Sequence, residues 1–347
     1  SSSLTWETVE HHNIGLDASF LDNRLNFTGE AYIRNTKDML TAGIALPAVY
    51  GTSSPKMNSA DMQTKGYELT LGWQDMFKLA GKPFSYQVNL TFNDYTSKIT
   101  KFNNPEKAFA KGYYEGMRIG EIWGYHIDGI FATDEEAASY EVDQRNVNDI
   151  INSSSGSLKG LHAGDLRFAD LDGDNRISTG ENTVDKPGDR RIIGNSEPRY
   201  QYGANLAFQW CGFDFSIFFQ GIGRMDWYPA SEAELFWGPF NRPYATFLPK
   251  NFLEKCWSED NPDAYFPRPR AYVAYDNMGD QCRELTAKND RYLQNIGYCR
   301  LKNLTVGYTL PKNWTRKAGI DMLRVYFSGE NLACWSGIKT DYVDPEQ

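Results

Sequence analysis

No apolar run in the chain approaches the roughly 20 residues that a membrane-spanning helix needs, and the mean hydropathy of -0.57 is that of a polar protein. Helical spans are excluded on that ground. A transmembrane strand is not, because it needs only about 9–11 residues with one apolar face. Cysteine is scarce: Cys211, Cys256, Cys282, Cys299 and Cys334 lie far apart with no C-x-x-C pair. That spacing excludes a zinc ribbon, and the odd count leaves at least one thiol without an intrachain partner. Positive charge is also short, with 36 Lys and Arg against 45 Asp and Glu and a formal net charge of -9. A nucleic-acid partner calls for the opposite sign.

Catalytic signatures are missing as well. There is no G-x-S-x-G, H-E-x-x-H or Walker A segment, and Gly221-Ile222-Gly223 lacks the third glycine of a dinucleotide loop. His11, His12, His126 and His162 show no ligand spacing with cysteine, and adjacent His11 and His12 would face opposite sides of a strand. No carboxylate pair stands out as acid and base, so an enzyme is not expected. The opening Ser1-Ser2-Ser3-Leu4-Thr5-Trp6-Glu7 lacks the basic and apolar regions of a signal peptide. Such a start fits a processed or internal segment.

What is present is strict alternation. Ile14, Leu16, Ala18 and Phe20 alternate with Asn13, Gly15, Asp17 and Ser19, and Leu25, Phe27, Gly29, Ala31 and Ile33 alternate with Asn26, Thr28, Glu30, Tyr32 and Arg34. The pattern recurs at Tyr67–Trp73, Phe84–Phe92, Tyr200–Trp210, Phe213–Phe219, Leu304–Leu310 and Val325–Phe327. About eight strands are predicted, each with an apolar face suited to lipid and a polar face suited to a wet lumen. The fold class is all-β, an antiparallel transmembrane β-barrel.

The connections are very unequal. Turns at 22–23, 75–83, 211–212 and 311–321 are short, whereas 35–63, 96–198 and 222–294 are long. Outer-membrane barrels have short periplasmic turns and long extracellular loops, which assigns the long stretches to the cell exterior. Trp73, Phe84, Trp210, Phe213 and Trp314 gather at the short-turn ends, as an aromatic girdle at the headgroups would. Ordinary sandwich-core packing is the alternative for these rings. A barrel must close, since an open edge in lipid leaves backbone groups unpaired. Side chains fill an eight-stranded lumen, which sits poorly with such large loops, so further strands outside this sequence are expected.

Several stretches, taken in order, resemble the C-terminal part of SusC/RagA-type TonB-dependent outer-membrane transporters. They are Leu4-Thr5-Trp6-Glu7 leading into Asn13-Ile14-Gly15-Leu16-Asp17, then Tyr32-Ile33-Arg34-Asn35-Thr36-Lys37-Asp38-Met39-Leu40 and Lys65-Gly66-Tyr67-Glu68-Leu69. Gly124-Tyr125-His126-Ile127-Asp128-Gly129-Ile130-Phe131 follows, and the strongest is Tyr298–Pro311 with Arg324-Val325-Tyr326 and Gly329-Glu330-Asn331-Leu332. The resemblance implies a barrel of about 22 strands, plugged by an N-terminal domain, energised through TonB and capped by a SusD-like surface lipoprotein. It implies import of an oligosaccharide or a peptide. The plug, the TonB-contacting segment and an aromatic-ended final strand are not in this sequence, so residues 1–347 alone are expected to be transport-incompetent.

Two stretches carry candidate chemistry. Asp170, Asp172, Asp174, Arg176, Ser178 and Glu181 fall at EF-hand loop spacing. Three carboxylates, the Arg176 carbonyl, Ser178 directly or through water, and a bidentate Glu181 would give Ca2+ its six or more oxygens. Asn175 stands where glycine is usual, and Asn tolerates positive φ. Without flanking helices the expected role is structural ordering of the 96–198 loop, the alternative being an acidic Asx-turn loop with no metal. The second stretch, 222–294, holds Trp227, Tyr228, Phe236, Trp237, Phe240, Tyr244, Phe247, Trp257, Tyr265, Phe266, Tyr272 and Tyr275. Trp227, Trp237 and Phe240 are candidates for substrate contact or lid docking, with Asp226, Glu232 and Glu234 nearby for hydroxyl groups. Equally, the rings could fold the loop against itself. A calcium-dependent, aromatic-rich cell-surface glycan-binding or adhesion module without transport is the competing function.

Overall fold

The computed structural model describes residues 4–42, 56–148, 160–230, 233–241, 248–270, 284–340 and 343–346. In chain order the first half contains β1 (Thr8–Phe20), β2 (Leu25–Ala42), β3 (Lys56–Leu79), β4 (Lys82–Lys101), β5 (Glu121–Gly124), β6 (Ile127–Ile130), α1 (Asp134–Ala138), β7 (Leu166–Phe168) and β8 (Arg191–Asn195). The second half adds β9 (Arg199–Trp210), β10 (Phe213–Arg224), β11 (Asp226–Trp227), α2 (Glu234–Trp237), β12 (Gln294–Asn295), β13 (Tyr298–Thr309), α3 (Lys312–Thr315) and β14 (Arg324–Ser336).

Eight long strands form one antiparallel sheet in the order β1-β2-β3-β4-β9-β10-β13-β14. The register shows why the alternation is so regular. Leu25 pairs with Trp73, Trp73 with Val88, Val88 with Leu206, Leu206 with Ile217 and Ile217 with Leu304, so one apolar row crosses six strands. The neighbouring row on the other face runs Asn26, Gly72, Asn89, Asn205, Phe218 and Asn303. A one-residue slip anywhere would interchange the two faces. Among the described residues nothing covers the apolar face, and Leu16, Leu71, Leu206 and Val306 are all exposed on it. The opposite face is polar and cross-linked by hydrogen bonds such as Asn13 to Glu30 at 2.7 Å and Thr28 to Asp17 at 2.7 Å.

Two hairpin turns have both central residues at positive φ, Ala80 (50°) with Gly81 (75°) and Cys211 (53°) with Gly212 (86°). That conformation matches the twist of the flanking strands. The turn expected at 75–83 is therefore shorter, because Phe77 pairs with Phe84 and the strands run on to Ala80-Gly81. The first turn spans Leu21–Arg24. The last connection is not a simple turn: α3 and a following 3-10 stretch, Arg316–Ala318, occupy most of it.

At the other sheet end the strands also outrun their predicted limits. Within the expected loop 35–63, Thr36 pairs with Met62, Met39 with Ala60 and Leu40 with Asn58. Residues 43–55 at its centre lie outside the described residues. The apolar row ends near Ile33 and Tyr67, and polar pairs such as Gln63 to Asn35 at 2.8 Å replace it. Strand pairing continues past the apolar band, so hydropathy alone places the loop start too early.

Connections 102–198 and 225–297 leave the same end of the sheet and fold together. Short antiparallel pairs β5–β8, β6–β7 and β11–β12 frame them. Their shared core joins Tyr125, Ile127, Val147, Leu166, Phe168 and Ile177 from the first to Tyr228, Phe236, Trp237, Phe240, Phe266 and Tyr292 from the second. Backbone bonds stitch the two, with Tyr125 N to the Lys288 carbonyl at 2.8 Å and Arg268 N to the Gly164 carbonyl at 2.8 Å. Strands β1 and β14 are the two sheet edges, and they do not pair with each other among the described residues.

Candidate functional site

A cavity of about 590 Å3 opens where the folded loops meet the sheet, lined by Tyr113, Met117, Ile119, Glu121, Glu197, Trp227 and Lys288 among others. Local structure fixes each polar group. Glu121 opens β5 and accepts hydrogen bonds from Arg118 N at 2.9 Å, from Trp123 Nε1 at 3.3 Å and from the Tyr114 hydroxyl. Burial, reinforced by that carboxylate, raises the Tyr114 phenol above its ordinary range. Glu197 follows β8, and its Oε2 accepts from the Tyr95 hydroxyl at 3.3 Å. Tyr95 belongs to the polar row of β4, since it pairs with Gly66 and alternates with Phe92 and Asp94. The cavity therefore sits over the polar, lumen-facing side of the sheet.

Asp226 also lines the cavity but is buried and already neutralised, accepting from Arg224 at 3.0 Å and from Asn195 N at 2.9 Å. Neither Glu121 nor Glu197 has a cation within salt-bridge distance among the described residues. Of the three aromatic candidates, half-buried Trp227 lines this cavity. Trp237 and Phe240 do not: they are 1% and 0% exposed. Their rings pack on Phe236, Tyr292 and Phe266, with Trp237 meeting Tyr292 at 5.5 Å and Phe240 meeting Phe266 at 5.8 Å. This corrects their assignment to substrate or lid contact, because burying such large rings is what holds the loop domain together. Glu232, Tyr244, Phe247, Tyr272 and Tyr275 lie outside the described residues, as does Cys282; the other four cysteines are free thiols.

The EF-like segment forms a tight acidic turn in the first loop. Carboxylate oxygens of Asp170, Asp172 and Asp174 lie within 4.8 Å of one another. Asp170 accepts from Gly173 N and Asn175 N, both at 2.8 Å, and Asp174 from Arg176 N at 2.8 Å. Burial works against the Asp170 charge, but these N–H groups outweigh it and hold the carboxyl below its ordinary value. Asn175 takes the predicted positive φ, 61°. Ile177 is fully buried, anchoring the turn to the core. Glu181 departs from the expected ligand set: it is exposed and paired with Lys186 at 2.5 Å. The three aspartates fit a cation, whereas Glu181 as placed does not complete the set.

Sequence reading missed three acids inside the loop domain, buried Asp189 and Glu284 and half-buried Asp290, because none belongs to a local motif. Asp189 lies behind the acidic turn, accepting from Leu171 N at 2.8 Å and Ser178 N at 2.7 Å. Burial, with Asp172 and Asp170 close by, pushes its carboxyl up. Asp290 joins the two loops by meeting His126 Nδ1 at 2.5 Å, Ile127 N at 3.1 Å and Arg191 at 2.9 Å. Although burial opposes it, these partners hold Asp290 below its ordinary value. Glu284 accepts from Leu166 N at 3.1 Å and Asn148 Nδ2 at 3.3 Å. Complete burial beside Asp165, itself paired with Arg270, pushes Glu284 up to about 8.

Comparison with known proteins fits this architecture. The family model described as TonB dependent receptor-like, beta-barrel, matches residues 1–332. TonB-dependent receptor P3 of Formosa agariphila is 28% identical over the whole chain, and receptor P39 of the same organism is 24% identical over 92% of it. The chain spans 31% of the length of each of these relatives. Among solved structures, the RagAB peptide transporter superposes with a TM-score of 0.65 at 20% identity, covering 98% of this chain and 33% of that one. The RagAB peptide importer in its closed-closed state gives 0.66 at 21% identity, with 99% and 33% coverage. At such identities the likeness is one of fold, and it extends over nearly the whole of this chain. The uncovered apolar face is thus the lipid face of an outer-membrane β-barrel, and the chain belongs to the TonB-dependent receptor family.

Proposed function

We propose that this chain forms part of the wall and the extracellular loop domain of an outer-membrane importer that takes up an oligomeric nutrient through TonB. The observation that carries the reading is the cavity at the loop–sheet junction, placed over the lumen face of a family-matched barrel wall. Strands beyond this sequence close the barrel, since β1 and β14 would otherwise leave unpaired backbone in lipid. Long connections lie outside the cell and short turns in the periplasm. A SusD-like surface lipoprotein covers the loop domain, as the resemblance implies. Of the two nutrient classes, a peptide is favoured by charged groups in the cavity, which a neutral sugar does not match.

The experiment is uptake by cells carrying the intact protein, supplied with labelled oligopeptides or oligosaccharides. Energy-dependent peptide import that stops when TonB is removed is the expected result. Surface binding without import, unaffected by TonB, would instead identify an adhesion or glycan-binding module. Co-purification of a surface lipoprotein checks the lid.

The acidic turn supports a second, structural role. Asp170, Asp172 and Asp174, with the Arg176 carbonyl and Ser178, hold Ca2+, and Glu181 exchanges Lys186 for the ion. A bound cation would relieve the crowding of Asp170, Asp172 and buried Asp189. Calcium titration of the intact protein is expected to release or absorb heat and to slow proteolysis of 102–198. No heat, together with unchanged proteolysis in Asp172→Ala, would remove the site.

A further inference from the structure

We infer that the cavity at the loop–sheet junction is a charge-selecting subsite, binding the protonated amine or guanidinium of a peptide between Glu121, Glu197 and Trp227. The inference rests on the peptide reading above and goes further, to the kind of peptide selected.

Position comes first. Tyr95, in the inward row of β4, donates to Glu197, so the cavity looks onto the path through the barrel from the loop end. Its volume, about 590 Å3, lies within the range of small-molecule sites. It admits an extended side chain or a chain terminus, not a folded partner.

Chemistry follows. Glu121 and Glu197 are half-buried, which strengthens their field relative to fully solvated carboxylates. Both line the one cavity, and the backbone before Glu121 approaches Glu197 closely: Gly120 adopts φ 84°, and a Cβ there would lie 2.9 Å from Glu197 Cγ. The glycine thus lets the Glu197 stem lie directly against the start of β5. Donors hold both carboxylates in place, Arg118 N, Trp123 Nε1 and the Tyr114 hydroxyl on Glu121 and the Tyr95 hydroxyl on Glu197. Each carboxylate offers about four acceptor positions, so capacity remains for an incoming cation. Neither carries a neutralising partner, in contrast to Asp226, which Arg224 satisfies. Trp227 and Tyr113 add aromatic faces, which attract a cation further. Exposed Lys288 also lines the cavity and forms no ion pair with either carboxylate among the described residues, so its ammonium suits a peptide carbonyl or carboxylate.

The test uses the intact transporter with its partner lipoprotein and matched peptides that differ only in charge. Wild type is expected to bind and import the basic peptide at least about tenfold better than the acidic one, a preference that shrinks as ionic strength rises. Glu197→Gln keeps the acceptor for Tyr95 while removing charge. Combined with Glu121→Gln it should lower basic-peptide affinity about tenfold and reduce the basic-over-neutral preference by the same factor. Equal handling of all charges by wild type would overturn the subsite, as would a preference that survives in the double variant. The salt dependence in wild type decides the matter even if the double variant folds poorly. Import of oligosaccharides with no peptide bound would overturn the peptide reading itself, an outcome distinct from peptide import without charge preference.

Discussion

Trp237, Phe240 and Glu284 show how burial reassigns residues whose side-chain chemistry invites a surface role. Aromatic density in 222–294 was visible in the sequence, but which rings face solvent depends on how 102–198 packs against them. Trp237→Ala or Phe240→Ala should cost about 3–5 kcal/mol, read as faster proteolysis and hydrogen exchange in both long connections while exchange in the barrel strands is unchanged. Glu284 gives a pH prediction. Its folded value is raised, so the folded state holds a proton that the unfolded state releases between the ordinary carboxylate value, 4.5, and about 8. Loop-domain stability is therefore full below that window and declines as pH rises through it. Glu284→Gln keeps an acceptor for Leu166 N and removes the charge. It should flatten this decline and stabilise the loop domain at the alkaline end by roughly 1–3 kcal/mol, measured as exchange protection against pH.

At the scale of elements, the alternation at 13–34, 67–73 and 200–219 identified strands and faces correctly, because each side chain's face follows from period 2 alone. Boundaries were less legible. Hydropathy stops alternating where lipid ends, while pairing between Asn35 and Gln63 or Leu40 and Asn58 continues into water. The contrast between faces is directly testable. Leu206→Arg places a charge on the lipid face and should destabilise the barrel by about 2–4 kcal/mol near the midplane. Asn205→Arg, one residue away on the lumen face, should be tolerated; urea titration in lipid distinguishes them. The Cys211-Gly212 turn depends on its glycine, whose added Cβ would lie 2.7 Å from the Thr309 carbonyl. Gly212→Val should slow folding of the β9–β10 hairpin and lower the yield of folded barrel.

For the whole molecule, the open edges and the paired loops matter most. In the intact protein, amides of β1 and β14 are expected to resist hydrogen exchange because neighbouring strands pair with both. Rapid exchange along Ile14–Phe20 in the outer membrane would contradict that closure. Connections 102–198 and 225–297 should lose protection together when either is perturbed, since Asp290, Glu284 and the aromatic core span both. The sequence by itself determined the strand faces, the short-turn and long-loop ends and the acidic turn, because these depend on side-chain period, turn residues and short-range spacing. Only the tertiary structure decided that Trp237 and Phe240 are core, that Asp189 and Glu284 are buried acids, that Asp290 joins the two loops, and that Glu121, Glu197 and Trp227 share a cavity. Asp290 meets His126 across 164 positions and Glu284 meets Asn148 across 136, and no local pattern records a contact that exists only after two loops have folded onto one sheet.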